Sequence, residues 1–395
     1  MPNLILLSLL AAFPPLSTDM YLPAIPTLQQ EWGIPLTEAN LSLVIYFLAF
    51  SLCLLIHGPL SDRFGRRPVL LWGILTFIAG CLLCAMSTSI VFLVAARIIQ
   101  AAGAAAAAAL ALALSKDLYD GIERQKILGY IGVIMAFCPM LAPSVGGLML
   151  KFASWRWIFA SQAVMAVIAF YGVLRLKEPL EEFTSGGFLA VAGRYVAVCR
   201  NGRFSTLALA FAFIIFPHFG YIGSSPEIYI NGFGLSEQAF GLYFGANAFG
   251  FMLGSLACTR FGGYFNPMHM LYFTLFSLLG SGVALFLLGG ATPLSVAIPM
   301  FAISFSVGFS RPVSNNMILD QVDTDIGAAS SIMTFEIFLV GAVSMEIVAM
   351  EWASKVVVLS ILAVIAAVVP LVGLLFMRSR MRVGHGTPAP NKAGN

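Results

Sequence analysis

Gly58-Pro59-Leu60-Ser61-Asp62-Arg63-Phe64-Gly65-Arg66-Arg67-Pro68 is a short basic turn set between two long apolar runs, and its reading decides the fold. Gly58 and Gly65 are expected to supply backbone angles and close approaches that a side chain would block, and Pro68 suits the first turn of a following helix, where its missing N–H has no partner to lose. Asp62 can accept from helix N-terminal N–H groups or pair with a neighbouring arginine. Arg63, Arg66 and Arg67 are expected to anchor the turn at a membrane face rich in anionic lipid.

Outward from this turn the chain stays apolar. Of its 395 residues 59% are hydrophobic and only 10% are charged. Crossing ~30 Å of hydrocarbon takes ~20 apolar residues, and a helix satisfies its own backbone there. Twelve runs qualify, at roughly 4–26, 40–60, 69–87, 90–115, 127–150, 157–175, 204–230, 238–258, 268–288, 293–315, 326–350 and 355–377. The expected fold class is therefore an all-α polytopic membrane protein embedded in a lipid bilayer.

The charges orient the runs. Seventeen of the 21 lysines and arginines fall in the turns after the second, fourth, sixth, eighth and tenth runs and in the tail. Lys151, Arg156 and Lys355 lie on the other side, and Arg97 lies within a run. A bias of this kind places both termini in the cytoplasm and requires an even number of spans. No soluble basic face exists for nucleic acid. The first run lacks a positively charged start and carries Asp19 near its end, so it reads as a retained helix rather than a signal peptide. The six cysteines lie mostly in apolar runs and read as inert packing residues.

The longest polar interruption, roughly 176–203, divides six runs from six. The expected organisation is a six-helix bundle over 1–177, a cytoplasmic linker over 178–203, a second six-helix bundle over 204–377, and a cytoplasmic tail over 378–395. Arg260-Phe261-Gly262 with Pro267 echoes Arg63-Phe64-Gly65 with Pro68, as an internal duplication would.

Two further segments carry chemistry. Arg97-Ile98-Ile99-Gln100-Ala101-Ala102-Gly103 buries an arginine in the fourth run at a cost of ~2.5–3.5 kcal/mol on insertion scales, so it should face the bundle and find a partner. Asp19 is the expected partner by depth: at 1.5 Å per residue it lies ~22 Å from the inner end of its run, and Arg97 ~10 Å from the outer end of its own. In the fifth run, Pro139 and Ala142-Pro143-Ser144-Val145-Gly146-Gly147 free backbone carbonyls and let a neighbouring helix approach.

The turn at 58–68 resembles the loop between the second and third helices of the major facilitator superfamily. The fifth-run segment is similar to the antiporter motif of its drug exporters, with Ala142 in place of the usual first glycine. Ser17-Thr18-Asp19-Met20-Tyr21-Leu22-Pro23-Ala24-Ile25-Pro26, Asn201-Gly202-Arg203-Phe204, Ser225-Pro226 and Gln238-Ala239-Phe240-Gly241-Leu242 resemble segments of the Bcr/CflA group of drug:proton antiporters. The resemblance implies two pseudo-symmetric six-helix bundles in the bacterial inner membrane. It also implies export of small amphipathic drugs, chloramphenicol-like compounds or bicyclomycin among them, against proton entry, with roles for Asp19 and Arg97. Relatives of this kind can carry a second acid about two turns before the position of Asp19; here that stretch reads Leu10-Ala11-Ala12.

Glu336, about ten residues into the eleventh run, lies near the midplane and is a candidate for proton coupling or for a cationic substrate. Candidate substrate contacts are Tyr21, Tyr46, Phe50, Met135, His218, Tyr243 and Asn247. The expected conformational switch comprises Gly58, Asp62, Arg63, Gly65, Arg66, Arg67, Pro139, Pro143, Gly146 and Gly147. Arg311 reads as snorkelling to the inner interface. No metal-ligand spacing, cofactor motif, nucleophile–base pairing or phosphate-cradling loop is present, which argues against an enzyme; no re-entrant filter argues for a channel. The expected partners are a small-molecule drug and the proton, with no cofactor or metal, on a monomer. Export of a nucleobase, nucleoside or sugar-like metabolite is the alternative on the same fold.

Overall fold

A computed structural model describes residues 2–180 and 188–377. All twelve expected spans are helices long and apolar enough to cross a membrane. In the N-terminal half they are α1 (Leu4–Trp32), α2 (Leu36–Phe64), α3 (Arg66–Ala85), α4 (Ile90–Leu118), α5 (Gly121–Phe152) and α6 (Arg156–Leu174). In the C-terminal half they are α7 (Gly202–Gly232), α8 (Glu237–Phe261), α9 (Pro267–Leu288), α10 (Pro293–Leu319), α11 (Ile326–Ala349) and α12 (Lys355–Met377). The tail arginines Arg378, Arg380 and Arg382, and Glu181 and Glu182 of the central interruption, lie outside the described residues.

Caps set the ends. Ser89, Asn201, Ser236 and Asn266 each accept a first-turn N–H, and Thr292 with Ser295 forms a reciprocal capping box that satisfies two end groups at once. Prolines break the first helix of each half. In α1 the α-helix stops at Asp19 and resumes at Ile25 after a 3-10 turn containing Pro23; in α7 a 3-10 turn at Phe213–Ile215 precedes Pro217. Each half therefore opens with a broken helix.

Within the N-terminal half α4 packs against α1, α2 and α3, and in the C-terminal half α10 packs against α8 and α9. The alanine-rich face of α4 is fully buried at Ala101 and Ala104 to Ala107, as close helix packing requires. Between the halves α2 meets α11 and α5 meets α8. Each contact joins the second helix of one half to the fifth of the other, as a pseudo-two-fold relation demands.

The central interruption is not all loop. Phe188–Cys199 is a helix that packs against α11, with Val198 buried. The Tyr195 hydroxyl donates to the Leu55 carbonyl of α2 at 2.9 Å. This helix therefore touches both halves at the end of the molecule where α2 finishes and α11 begins.

Candidate functional site

The break in α1 builds a site for Arg97. Because the Tyr21 N–H turns back to the Thr18 carbonyl, the Ser17 carbonyl is released from the helical ladder. Arg97 Nη1 donates to that carbonyl at 2.9 Å and to Gln100 Oε1 at 2.5 Å, while Nε donates to the Ser42 carbonyl of α2 at 3.2 Å. Gln100 Nε2 in turn donates to Gln162 of α6 at 2.8 Å, and Gln162 Nε2 to the Leu16 carbonyl at 3.0 Å. The guanidinium carbon sits 4.2 Å from the ring centre of Tyr46, 5.1 Å from Tyr21 and 5.7 Å from Phe159. Desolvated cation–π contacts contribute about 2 kcal/mol or more, and charged hydrogen bonds ~1.5–3 kcal/mol each, enough to offset the insertion cost.

The expected Asp19–Arg97 ion pair is not formed. Arg97 is fully buried and takes neutral acceptors, with Nη2 lacking a partner among the described residues. Asp19, 6% exposed, accepts instead from the Thr18 hydroxyl at 3.0 Å. Equal depth brought the two to the same layer, but depth does not fix which way a side chain leaves its helix. Tyr21 and Tyr46 are fully buried around the guanidinium, so their rings shield the arginine rather than line an open cleft.

Between the halves the structure is closed at the end where α1 finishes and α2 starts. Asn40 Nδ2 of α2 donates to the Gly223 carbonyl of α7 at 3.0 Å, and Gln238 Nε2 of α8 to the Gly147 carbonyl of α5 at 2.7 Å. A Cβ on Gly146 would lie 2.0 Å from the Met20 carbonyl oxygen, and one on Gly147 2.6 Å from that of Glu237. Gly146 is therefore required by the packing of α5 on the break of α1 within the N-terminal half, and Gly147 by the closed seam. Pro139 and Pro143 lie inside the continuous helix α5 just before it. Nearer the middle, Phe47 and Phe50 of α2 meet Phe338 of α11 at 5.5 and 5.3 Å, and Phe47 meets Phe219 of α7 at 5.1 Å.

Other candidates are scattered. His218 Nδ1 is 2.9 Å from the Ser304 hydroxyl and its ring 5.2 Å from Phe251, and Tyr243 stacks on Tyr229 at 5.0 Å. Asn247 is 4% exposed with Oδ1 unpartnered among the described residues, and Met135 is 43% exposed on α5. Glu336 lies two residues, and so about 200° of helix, away from Phe338. Its charge reaches Cys199 of the linker helix, whose thiol is pushed up by burial and by that carboxylate. Glu336 itself is half-buried, with Oε2 unpartnered among the described residues.

The turn at 58–68 departs from its sequence reading in two respects. Gly65, at φ 97 and ψ 150, needs a residue without a Cβ, but Gly58 has open space around it and an ordinary φ. Arg66 is not a lipid anchor: it is 9% exposed, with Nε donating to Asp117 of α4 at 2.7 Å and Nη1 to Ser61 Oγ at 2.6 Å and Asp62 at 2.5 Å. The N-terminal N–H groups of α3 are taken by Glu178 rather than Asp62. Its two carboxylate oxygens accept from Arg66 N and Arg67 N, each at 2.9 Å. Arg67 Nη2 donates to the Leu174 carbonyl at 3.0 Å, and Arg63 lies over Phe64. The echo at Arg260 carries no ion pair among the described residues.

Two six-helix halves related by a pseudo-two-fold, meeting at a seam closed at one end, with a buried cation beside it, define a membrane transporter. The chain belongs to the Major Facilitator Superfamily, whose family model matches residues 7–345. It is 31% identical over 392 residues to the MFS-type transporter YdgK of Bacillus subtilis (strain 168), covering 97% of this chain and 96% of that one. It is 25% identical over 327 residues to the multidrug resistance protein MdtL of Klebsiella pneumoniae (strain 342), covering 81% of each. Among solved structures a D-xylose–proton symporter superposes with a TM-score of 0.72 at 17% identity, over 93% of this chain and 96% of that one. That last likeness is one of fold. The chain is a multi-pass membrane transporter and not an enzyme.

Proposed function

We propose that this transporter exports small amphipathic drugs across the bacterial inner membrane in exchange for protons, by alternating exposure of a cleft between its two halves. The observation that carries the proposal is the α1 break, which holds Asp19 and the arginine-binding carbonyl of Ser17 within three residues of one another beside the closed seam. A buried carboxylate in the membrane is expensive and is a default candidate for proton exchange. The relative named as a multidrug resistance protein supports the cargo class. With lysine and arginine marking the cytoplasmic side, both termini lie inside and the closed seam faces outward. Protonation then supplies the differential free energy that a two-state switch requires.

The test is transport by inside-out vesicles with an imposed pH gradient, recording proton flux as each of a panel of amphipathic compounds is added. Asp19→Asn is expected to fold, since the amide still accepts from Thr18, and to lose gradient-driven transport while keeping substrate exchange at equilibrium. Full gradient-driven accumulation by this variant would sink the assignment.

A further inference from the structure

At the inner end of the C-terminal bundle the start of α7, the turn after α10 and the last turn of α12 enclose a cavity of about 670 Å³. Arg200, Arg203, Thr206, Asp323 and Phe376 are among its lining residues. The two arginines are exposed and make no ion pair among the described residues. Their backbone is fixed: Asn201 Oδ1 accepts from the N–H groups of Arg203 and Phe204 at 3.1 and 3.3 Å, and its Nδ2 donates to the Gln321 carbonyl at 2.8 Å. One turn of chain thus presents two guanidinium groups at the positive end of a helix, where an anion is favoured. Asp323 opposes them with a single carboxylate, leaving the wall positive. The sequence continues from Met377 with Arg378, Arg380 and Arg382.

Next to this cavity the spanning helices α7 and α12 carry exposed apolar side chains. α7 and α12 close up just beyond it, where a Cβ on Gly373 would lie 2.8 Å from the Ala210 Cβ. Flanking that seam, Leu209 is 49% exposed, Val372 58% and Phe376 67%. A ligand that fits must be anionic at one end and hydrocarbon at the other. We infer that the α7–α12 mouth is a binding site for an anionic phospholipid of the inner leaflet, its phosphate on Arg200 and Arg203 and its acyl chains along Leu209, Val372 and Phe376. Basic pockets between spanning helices at the cytoplasmic side are suited to such headgroups. The inference does not depend on which cargo is carried.

The experiment titrates the full-length purified protein with phosphatidylglycerol or phosphatidylcholine and counts bound lipid by native mass spectrometry. The Arg200→Gln/Arg203→Gln pair is expected to bind phosphatidylglycerol about 30-fold more weakly than wild type, taking each surface charge at its usual contribution. An Arg124→Gln/Lys126→Gln pair, at the turn between α4 and α5, is expected to bind as wild type does. Neither pair replaces a buried side chain, and their melting temperatures in detergent check that each remains folded. Equal losses in the two pairs would show a diffuse electrostatic effect and overturn the site. Equal retention of phosphatidylcholine would overturn the anionic specificity, and displacement of lipid by millimolar inorganic phosphate would make this a small-anion pocket instead.

Discussion

Glu178→Gln isolates what the central interruption contributes to the basic turn. In the structure the carboxylate bridges the first two N–H groups of α3, with one oxygen on each at 2.9 Å. Glutamine keeps one accepting oxygen and loses the charge. The loss is one charge-assisted hydrogen bond plus the interaction of an anion with a helix N-terminus. Capping substitutions cost about 1 kcal/mol, the dipole term adds about 0.3–1 kcal/mol, and Glu178 is only half-buried, so roughly 1–2 kcal/mol is expected. That corresponds to about a 5–30-fold larger open population at this helix start. Hydrogen–deuterium exchange of a peptide spanning residues 65–70 reads it directly, as exchange faster by that factor. A peptide spanning 262–268, the echo in the second half, should not change, since no carboxylate holds that turn among the described residues. Unchanged exchange at 65–70, or the same acceleration at both turns, would refute the capping argument.

Gly65→Ala forces a Cβ into φ 97 and should lower the melting temperature by the equivalent of about 1–3 kcal/mol, whereas Gly58→Ala, with open space and ordinary φ, should stay within about 0.5 kcal/mol of wild type; comparing both melts checks the pair. Gly147→Leu meets the Glu237 carbonyl of α8 and should prevent the seam from closing, seen as a longer distance between spin labels at positions 152 and 233; an unchanged distribution would mean the seam tolerates side chains. Arg97→Lys keeps the charge but cannot reach the Ser17 and Ser42 carbonyls and Gln100 together, so it should retain partial transport where Arg97→Ala has none; near-normal transport by both would make the arginine dispensable.

The spans were legible because the bilayer imposes a length and an apolar composition that soluble context rarely mimics; all twelve runs became helices, extended at several ends by a few residues. The linker helix was not, since Phe188–Cys199 was read with its polar flanks as one interruption. Partners far along the chain left no local trace: Glu178 reaches Arg66 across 112 residues and Asp117 reaches it across 51. Both would have been candidates had the buried turn been asked where its cations and helix-start N–H groups find acceptors. For Arg97 and Glu336 the sequence supplied depth without direction. Counting residues at 1.5 Å per step places a side chain in a layer, but 100° per residue decides its face, and only packing fixes the zero of that angle.

One short stretch joins the buried charges to the packing of α1 on α5. Ser17 gives its carbonyl to Arg97, Thr18 gives its hydroxyl to Asp19, the Met20 carbonyl lies against Gly146 of α5, and Tyr21 covers the guanidinium and shares a hydrogen bond of 2.9 Å with Ser42. The α-helical ladder of α1 ends across these residues and gives way to the 3-10 turn at Leu22–Ala24, because Pro23 cannot continue it. A regular helix through Met20 would reclaim the Ser17 carbonyl from Arg97 and move the Met20 carbonyl relative to Gly146 at the same time. Arginine binding and the packing of α1 on α5 are therefore two consequences of one backbone conformation, and in the function proposed above a proton on Asp19 would act within that same segment. No chain of intermediate contacts is needed to carry an event at the acid to the contact between α5 and α1.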